Sequence, residues 1–268
     1  MASKICPNQF LKIIAGSTIF GTALLCSATP TKAAECSPSG TVSSLSSNCT
    51  ITPDQHFITV YEMGLCTGDP LSGTNFVATT CTATLTTGTG GISVNIASTT
   101  TDLTGGTAIR PSSGTYEYAY IKMSNTFGVK GEYKLGSTTY YSSSTGGSDG
   151  SSATYFESSL HDFDGGRTCT GSPTYTDTGT LSNGVYKARI ATTAYVTASA
   201  CDASSSTSAR VVGSFKFNTP ITISDEHSIL QVSLKSNGTG MTVIPDTTDG
   251  TTVDSFDSGP FQPEFEVF

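Results

Sequence analysis

Eight cysteines, three histidines and 21 acidic residues are the groups with chemistry to offer in this chain of 268 residues. The densest polar cluster is His161-Asp162-Phe163-Asp164-Gly165-Gly166-Arg167. An Asp-x-Asp-Gly run can open a calcium loop, because carboxylates at alternate positions converge on one cation. Asp162 and Asp164 supply the alternation, but Gly166 takes the third ligand position and no glutamate follows at the closing distance. The pair is thus a weak Ca2+ candidate, set against an exposed turn held by an Asx-type hydrogen bond. No other cofactor is expected. Gly146-Gly147-Ser148-Asp149-Gly150 fits the G-x-S-x-G pattern of a hydrolase elbow. That elbow needs a buried strand before it and a helix after it, and here it sits in a Ser/Gly run, so it reads as chance. His56, His161 and His227 stand far apart and read as surface or strand histidines rather than catalysts. Tyr116, Tyr118 and Tyr120 alternate along one strand, with Glu117, Ala119 and Ile121 opposite. Such a row can stack on sugar rings or fill a core, and the absence of tryptophan weakens the sugar reading. Asp246, Asp249, Asp254 and Asp257 read as a solvated acidic loop. No catalytic residue is assigned.

What must position these groups follows from the N-terminus onward. Lys4 and Lys12 lead into an apolar stretch from Ile13 to Cys26, the length of a signal-peptide core and too short to span a bilayer. Thr31-Lys32-Ala33 places small residues at the −3 and −1 positions of a cleavage site, so 1–33 reads as a signal peptide. Cys26 follows Leu25, where a lipidation motif requires a small residue. Removing 1–33 takes away Lys4, Lys12 and Lys32 and leaves 10 basic residues against 21 acidic, a net charge of −11 instead of −8. That charge repels phosphate and excludes a nucleic-acid partner. Six cysteines survive cleavage: Cys36, Cys49, Cys66, Cys81, Cys169 and Cys201. An even count in an exported chain reads as three disulfides, and the absence of close CxxC or CxxH pairs argues against zinc. Six cysteines allow 15 pairings. The expected one joins nearest neighbours: Cys36–Cys49, Cys66–Cys81 and Cys169–Cys201.

Only 13% of the residues are charged, and serine and threonine run in clusters. This composition is wrong for a helical bundle, and no segment after residue 33 carries a 3.6-residue apolar stripe. Ile92, Val94 and Ile96 alternate with Ser93, Asn95 and Ala97, the period of a half-buried strand. Further strands are expected at 57–63, 75–85, 116–121, 137–142, 153–158, 185–198, 210–217, 220–224, 228–235 and 241–245. Phe127 to Leu135 is expected to pair back on the tyrosine strand. Gly, Pro, Asn and Asp punctuate them, as at Asp69-Pro70 and Asn237-Gly238. Branched threonines favour strands and serines serve turns. Antiparallel sheets packed face to face are the expected solution: an all-β, disulfide-stabilised antiparallel β-sandwich. The Ser/Gly-rich stretch 142–153 suggests two packed β-units, 34–145 and 146–268, or a hairpin loop within one continuous domain 34–268.

One local pattern has more content. Ser112-Ser113-Gly114-Thr115-Tyr116 and Ser182-Asn183-Gly184-Val185-Tyr186 each lead into a strand. Both resemble the turn-Gly-x-Tyr strand start of transthyretin-like and other Ig-like extracellular sandwiches. The resemblance implies that fold class, with glycine permitting the bend and tyrosine starting the buried face.

Together these features point to a secreted, extracellular, cell-surface or periplasmic protein with a structural or adhesive role and no enzymatic one. Its expected partners are further copies of itself or other cell-surface molecules, with no membrane span after signal cleavage. The C-terminal residues Phe261, Phe265, Val267 and Phe268 form a candidate interaction tail for strand addition to a neighbour, or the last strand of the chain's own sheet. A transmembrane barrel is not expected, because Glu264 and Glu266 share the face of Phe268. The alternative is a secreted module binding carbohydrate through the tyrosines or a divalent cation through Asp162 and Asp164.

Overall fold

In a computed structural model the chain is described over 34–268, apart from 98–102, 104, 165, 170, 182, 202–207, 225–229 and 268; for 230, 266 and 267 only the backbone is described. The expected leader and Phe268 therefore lie outside the described residues. The strands, in chain order, are β1 (Cys49–Ile51), β2 (Gln55–Cys66), β3 (Cys81–Thr86), β4 (Ile92–Asn95), β5 (Thr107–Ala108) and β6 (Gly114–Ser124). β7 (Thr126–Lys130), β8 (Glu132–Leu135), β9 (Thr138–Tyr141), β10 (Phe156–Ser159), β11 (Thr176–Leu181) and β12 (Gly184–Ala191) follow. β13 (Arg210–Ile223), β14 (Leu230–Lys235), β15 (Met241–Pro245), β16 (Val253–Ser258) and β17 (Gln262–Val267) complete the set. Among the described residues helical geometry is confined to 3-10 turns, at Ala78–Thr80 and at Ser208. The protein is all-β, and every strand pairing is antiparallel.

β2 organises the main sheet of ten strands. It carries Phe57-Ile58-Thr59-Val60-Tyr61, a run of aromatic and β-branched residues suited to a pleated surface. One of its edges takes β4 over Phe57–Val60 and β3 over Glu62–Cys66. The other takes β6 over Val60–Cys66 and β7 over Gln55–Phe57. β6 and β7 are thus one antiparallel run interrupted at Asn125. Beyond them the sheet divides. β6 continues to β13, β12 and β11, while β7 continues to β10. Asn125 sits at the division and is buried. Its Nδ2 donates to the carbonyls of Leu160 (3.1 Å) and Ser208 (2.5 Å), one from each branch. The expected pairing of 127–135 with the tyrosine strand is therefore corrected. Both edges of β6 are already occupied by β2 and β13, so β7 pairs with β2 and β10, and β8 with β9.

A smaller sheet, β1-β15-β16, faces β2, β6, β7 and β10 across a shared apolar cluster. Ile58, Val60, Met123, Val129 and Phe156 meet Met241, Val243 and Phe256 there. A second cluster gathers Leu65, Tyr116, Ala119, Phe215, Phe217 and Ile223. The ribbon formed by β14 and β17 covers both, with Val232 and Leu234 on the first and Phe265 on the second. Residues 33–268 form one compact unit, and β6 and β13, from either side of residue 145, pair directly. The Ser/Gly stretch folds against β16: Phe256 N–H donates to the Gly146 carbonyl at 2.7 Å, and Ser142 is fully buried. The two Gly-x-Tyr starts flank β13 on opposite edges. Gly184 is required there, because a Cβ would press on the Phe215 ring at 2.6 Å.

Replacing Asn125 by alanine removes the donor that both branches share. The expected loss is about 2 kcal/mol, the cost of withdrawing a partner from buried carbonyls. It should show as a lower urea midpoint with an unchanged slope, and an unaltered midpoint would mean that the division holds without this side chain.

Candidate functional site

Residues directly opposite on neighbouring strands share a face and touch. On one face of the main sheet such a row runs Arg189 on β12, Val212 on β13, Lys122 on β6 and Glu62 on β2. The adjacent row is Lys187, Ser214, Tyr120 and Gly64. Gly64 is where the tyrosine ring fits, since a Cβ would lie 2.5 Å from Tyr120 Cε1. Lys122 Nζ donates to Glu62 Oε1 at 2.8 Å, and Tyr120 Oη donates to the same oxygen at 2.7 Å. Three rings surround the ammonium: Phe76 at 4.2 Å, Tyr195 at 4.7 Å and Tyr120 at 5.6 Å from centroid to Nζ. Lys122 is buried, with 8% of its surface exposed. The ring faces supply partial negative charge where water has been removed. Arg210 stacks over Tyr61 at 4.1 Å along the same face.

A strap over 67–80 closes this cluster. Its ends are tied by Cys66–Cys81, cross-strand neighbours on β2 and β3. Lys187 Nζ reaches Asp69 Oδ2 at 2.5 Å, and Arg189 Nη2 donates to the carbonyls of Leu71 (3.3 Å) and Gly73 (2.5 Å). Thr197 holds the Thr74 carbonyl through its N–H and its hydroxyl, at 3.0 and 2.8 Å. Phe76 N–H donates to the Tyr195 carbonyl at 3.3 Å. Tyr195 has φ 61°, the left-handed region, which costs a non-glycine residue roughly 1–2 kcal/mol. A strand was expected over 75–85, yet it begins only at Cys81, because residues 67–80 lie across the sheet face instead of along an edge. Burial and the Glu62 carboxylate push the Tyr120 phenol upward. Burial raises Tyr195, an effect that Arg210 opposes, and burial also lowers the Arg189 guanidinium.

The other candidates are placed as follows. The cysteines pair as nearest neighbours: Cys36–Cys49, Cys66–Cys81 and Cys169–Cys201. Tyr116 and Tyr120 are buried, and Tyr118 is half-buried with Lys216 Nζ at 5.9 Å from its ring, so the row forms no exposed platform. Tyr120 lies under Phe76 of the strap, and Tyr116 packs in the second apolar cluster. Asp162 is buried rather than exposed, and its Oδ1 accepts the N–H groups of Asp164 (3.0 Å) and Thr174 (2.9 Å). Asp164 Oδ2 accepts the Thr174 hydroxyl at 2.5 Å. Both carboxylates thus tie down their own loop, and among the described residues no group of three or more His, Cys, Asp or Glu could hold a metal. Ser148 donates to the Val253 carbonyl within a loop that has neither the strand nor the helix of an elbow. The C-terminal segment folds back as β17. Phe265 packs on Phe215 and Phe217 at 5.6 and 4.9 Å, and Phe261 meets the edge of His56 at 6.1 Å. Val267 pairs with Leu230 through its backbone. No described helix is long and apolar enough to cross a membrane.

Sequence reasoning missed Glu62, Phe76, Lys122, Arg189 and Tyr195. A signal was present: Glu62 and Lys122 are opposite charges, each flanked by apolar neighbours, Tyr61 and Met63 for one and Ile121 and Met123 for the other. What this arrangement can do is hold a largely buried charge and fasten a loop over it. No family model, curated protein or solved structure matches this chain.

Lys122→Ala should cost about 3 kcal/mol, since it strips one partner from a largely buried pair and empties the ring cage. Lys122→Met combined with Glu62→Gln should recover a large part of that loss, which a double-mutant cycle by chemical denaturation would read. A second expectation concerns pH. His56 is fully buried, and desolvation lowers its pKa from 6.5 to about 4. The unfolded chain therefore takes up the proton first, and this contribution to stability is complete above pH 6.5. It falls away as the pH drops toward 4, by about 3 kcal/mol in all. His56→Gln should flatten the stability profile in that window, and an unchanged slope would assign it to other groups.

Proposed function

We propose that this is a secreted, non-enzymatic structural or adhesive protein of the cell surface or extracellular space, built as an Ig-like β-sandwich. The observation that carries the reading is the set of three disulfides. Each closes a short segment, of 13, 15 and 32 residues in sequence separation, against the sheets. Such bonds persist in oxidising compartments, and each stabilises a small loop by roughly 3 kcal/mol. The leader-like residues 1–33 agree with export. The apolar cluster shared by the main sheet and β1-β15-β16 agrees with a sandwich. The charged groups support the same role: Glu62, Lys122, Asp162 and Asp164 each secure a loop or a sheet face. The surface is rich in serine and threonine and acidic overall, suited to a molecule that stays soluble until it meets a partner.

Negative-stain imaging and sedimentation of native material test this. Filaments, a lattice or defined oligomers on the cell surface are the expected result. Purely monomeric protein that turns over a glycosidase, esterase or protease substrate would overturn it.

A further inference from the structure

β11 is the last strand of the main sheet, and among the described residues its backbone pairs with β12 and with no other segment. Ile190 N–H donates to the Tyr175 carbonyl, which sets the alternation of the ladder. Asp177, Gly179 and Leu181 then turn their backbone groups toward β12, and Thr176, Thr178 and Thr180 turn theirs outward. Free edges are usually guarded by lysine, proline, a bulge or an inward charge. The ribbon carries such guards, Pro263 and the Lys235–Glu264 ion pair. β11 has no lysine, proline or bulge over its sequence Thr-Asp-Thr-Gly-Thr-Leu. Its single charge, Asp177, is drawn back: Oδ2 accepts the Tyr186 hydroxyl at 2.8 Å, and Oδ1 accepts Thr178 N–H at 2.8 Å. That Oδ1 stands where the carbonyl of an incoming strand would be received.

We propose that this edge pairs with the same edge of a second copy, antiparallel, about a two-fold axis at Thr178. The partner follows from self-complementarity. The outward groups must face one another, so Thr178 lies opposite its twin and Thr176 opposite Thr180 of the copy. Asp177 then lies opposite Gly179, which has no side chain of its own and over which the Tyr186 ring lies. Threonine meets threonine across the seam, a favourable cross-strand pair, and no like charges are opposed. The surface is isologous, as a two-fold dimer requires. Thr178 N–H exchanges Asp177 for the carbonyl of its twin, while Asp177 keeps Tyr186. Six residues make a small contact, so association depends on protein concentration.

This inference rests on the assembly reading above, and the test separates the two. Sedimentation equilibrium of the purified chain should give a mass rising to twice the monomer with concentration. Thr178→Lys, which sets two ammonium groups face to face on an exposed edge, should remain monomeric with an unchanged circular dichroism spectrum. Thr178→Cys should form a covalent dimer under mild oxidation, since such paired positions lie about 5.5 Å apart between Cα atoms. Ser137→Cys, in the exposed β8–β9 turn, should not. If the wild type assembles, Thr178→Lys assembles equally and Thr178→Cys forms no cross-link, the edge is wrong and the assembly reading stands. If the wild type stays monomeric at every concentration and native material shows no assembly, both fall.

Discussion

A strand has two hydrogen-bonding edges, and β2 uses its 12 residues to feed four neighbours from them. Each edge takes two shorter strands end to end. This is the constraint from which the rest follows. Two strands sharing one edge must either continue together or part, and β6 and β7 part at Asn125. Once they part, the sheet has two branches, and Met123 and Val211 of one share an apolar cluster with Val129 and Phe156 of the other. The small sheet β1-β15-β16 and the β14–β17 ribbon then have a surface to cover.

The same layout explains the buried charges. β6 lies mid-sheet with both edges paired, and Lys122 stands on the face that the strap covers. An ammonium without water needs a counter-charge and polarisable surroundings. Glu62 on the next strand provides the first and three rings provide the second. Two of those rings, Phe76 and Tyr195, come from segments outside the main sheet, so the cage is completed only when the strap lies down. Arg189 does the reverse, reaching from the sheet to hold the strap's own carbonyls. Charge and loop are mutually dependent.

Much of this was legible in the residues. The alternation of Ile92, Val94 and Ile96 marked a strand, and the cysteines pair as nearest neighbours, two pairs closing a loop or strap and the third bracketing the β11–β12 hairpin. The Gly-x-Tyr starts do open β6 and β12. What escaped was whatever depends on long-range placement. Whether the tyrosine row stacked on ligand or filled a core was open in the sequence, because Tyr120 is covered by a strap anchored by Arg189, 116 positions from Gly73, and Tyr116 by the second cluster. The division at Asn125 depends on the carbonyls of Leu160 and Ser208, which no local pattern links to it. Asp162 read as an exposed turn because its partner, Thr174, lies 12 positions on, outside the motif.

The order of the disulfides has a consequence for how the molecule is made. Among the six described cysteines each joins the next along the chain: Cys36 to Cys49, Cys66 to Cys81 and Cys169 to Cys201. A chain oxidised in the order in which these residues are made would find the correct partner for each of their thiols to be the next of them along the chain. Oxidative folding then requires electron removal but no reshuffling, so a simple oxidase suffices where interleaved pairings would call for an isomerase.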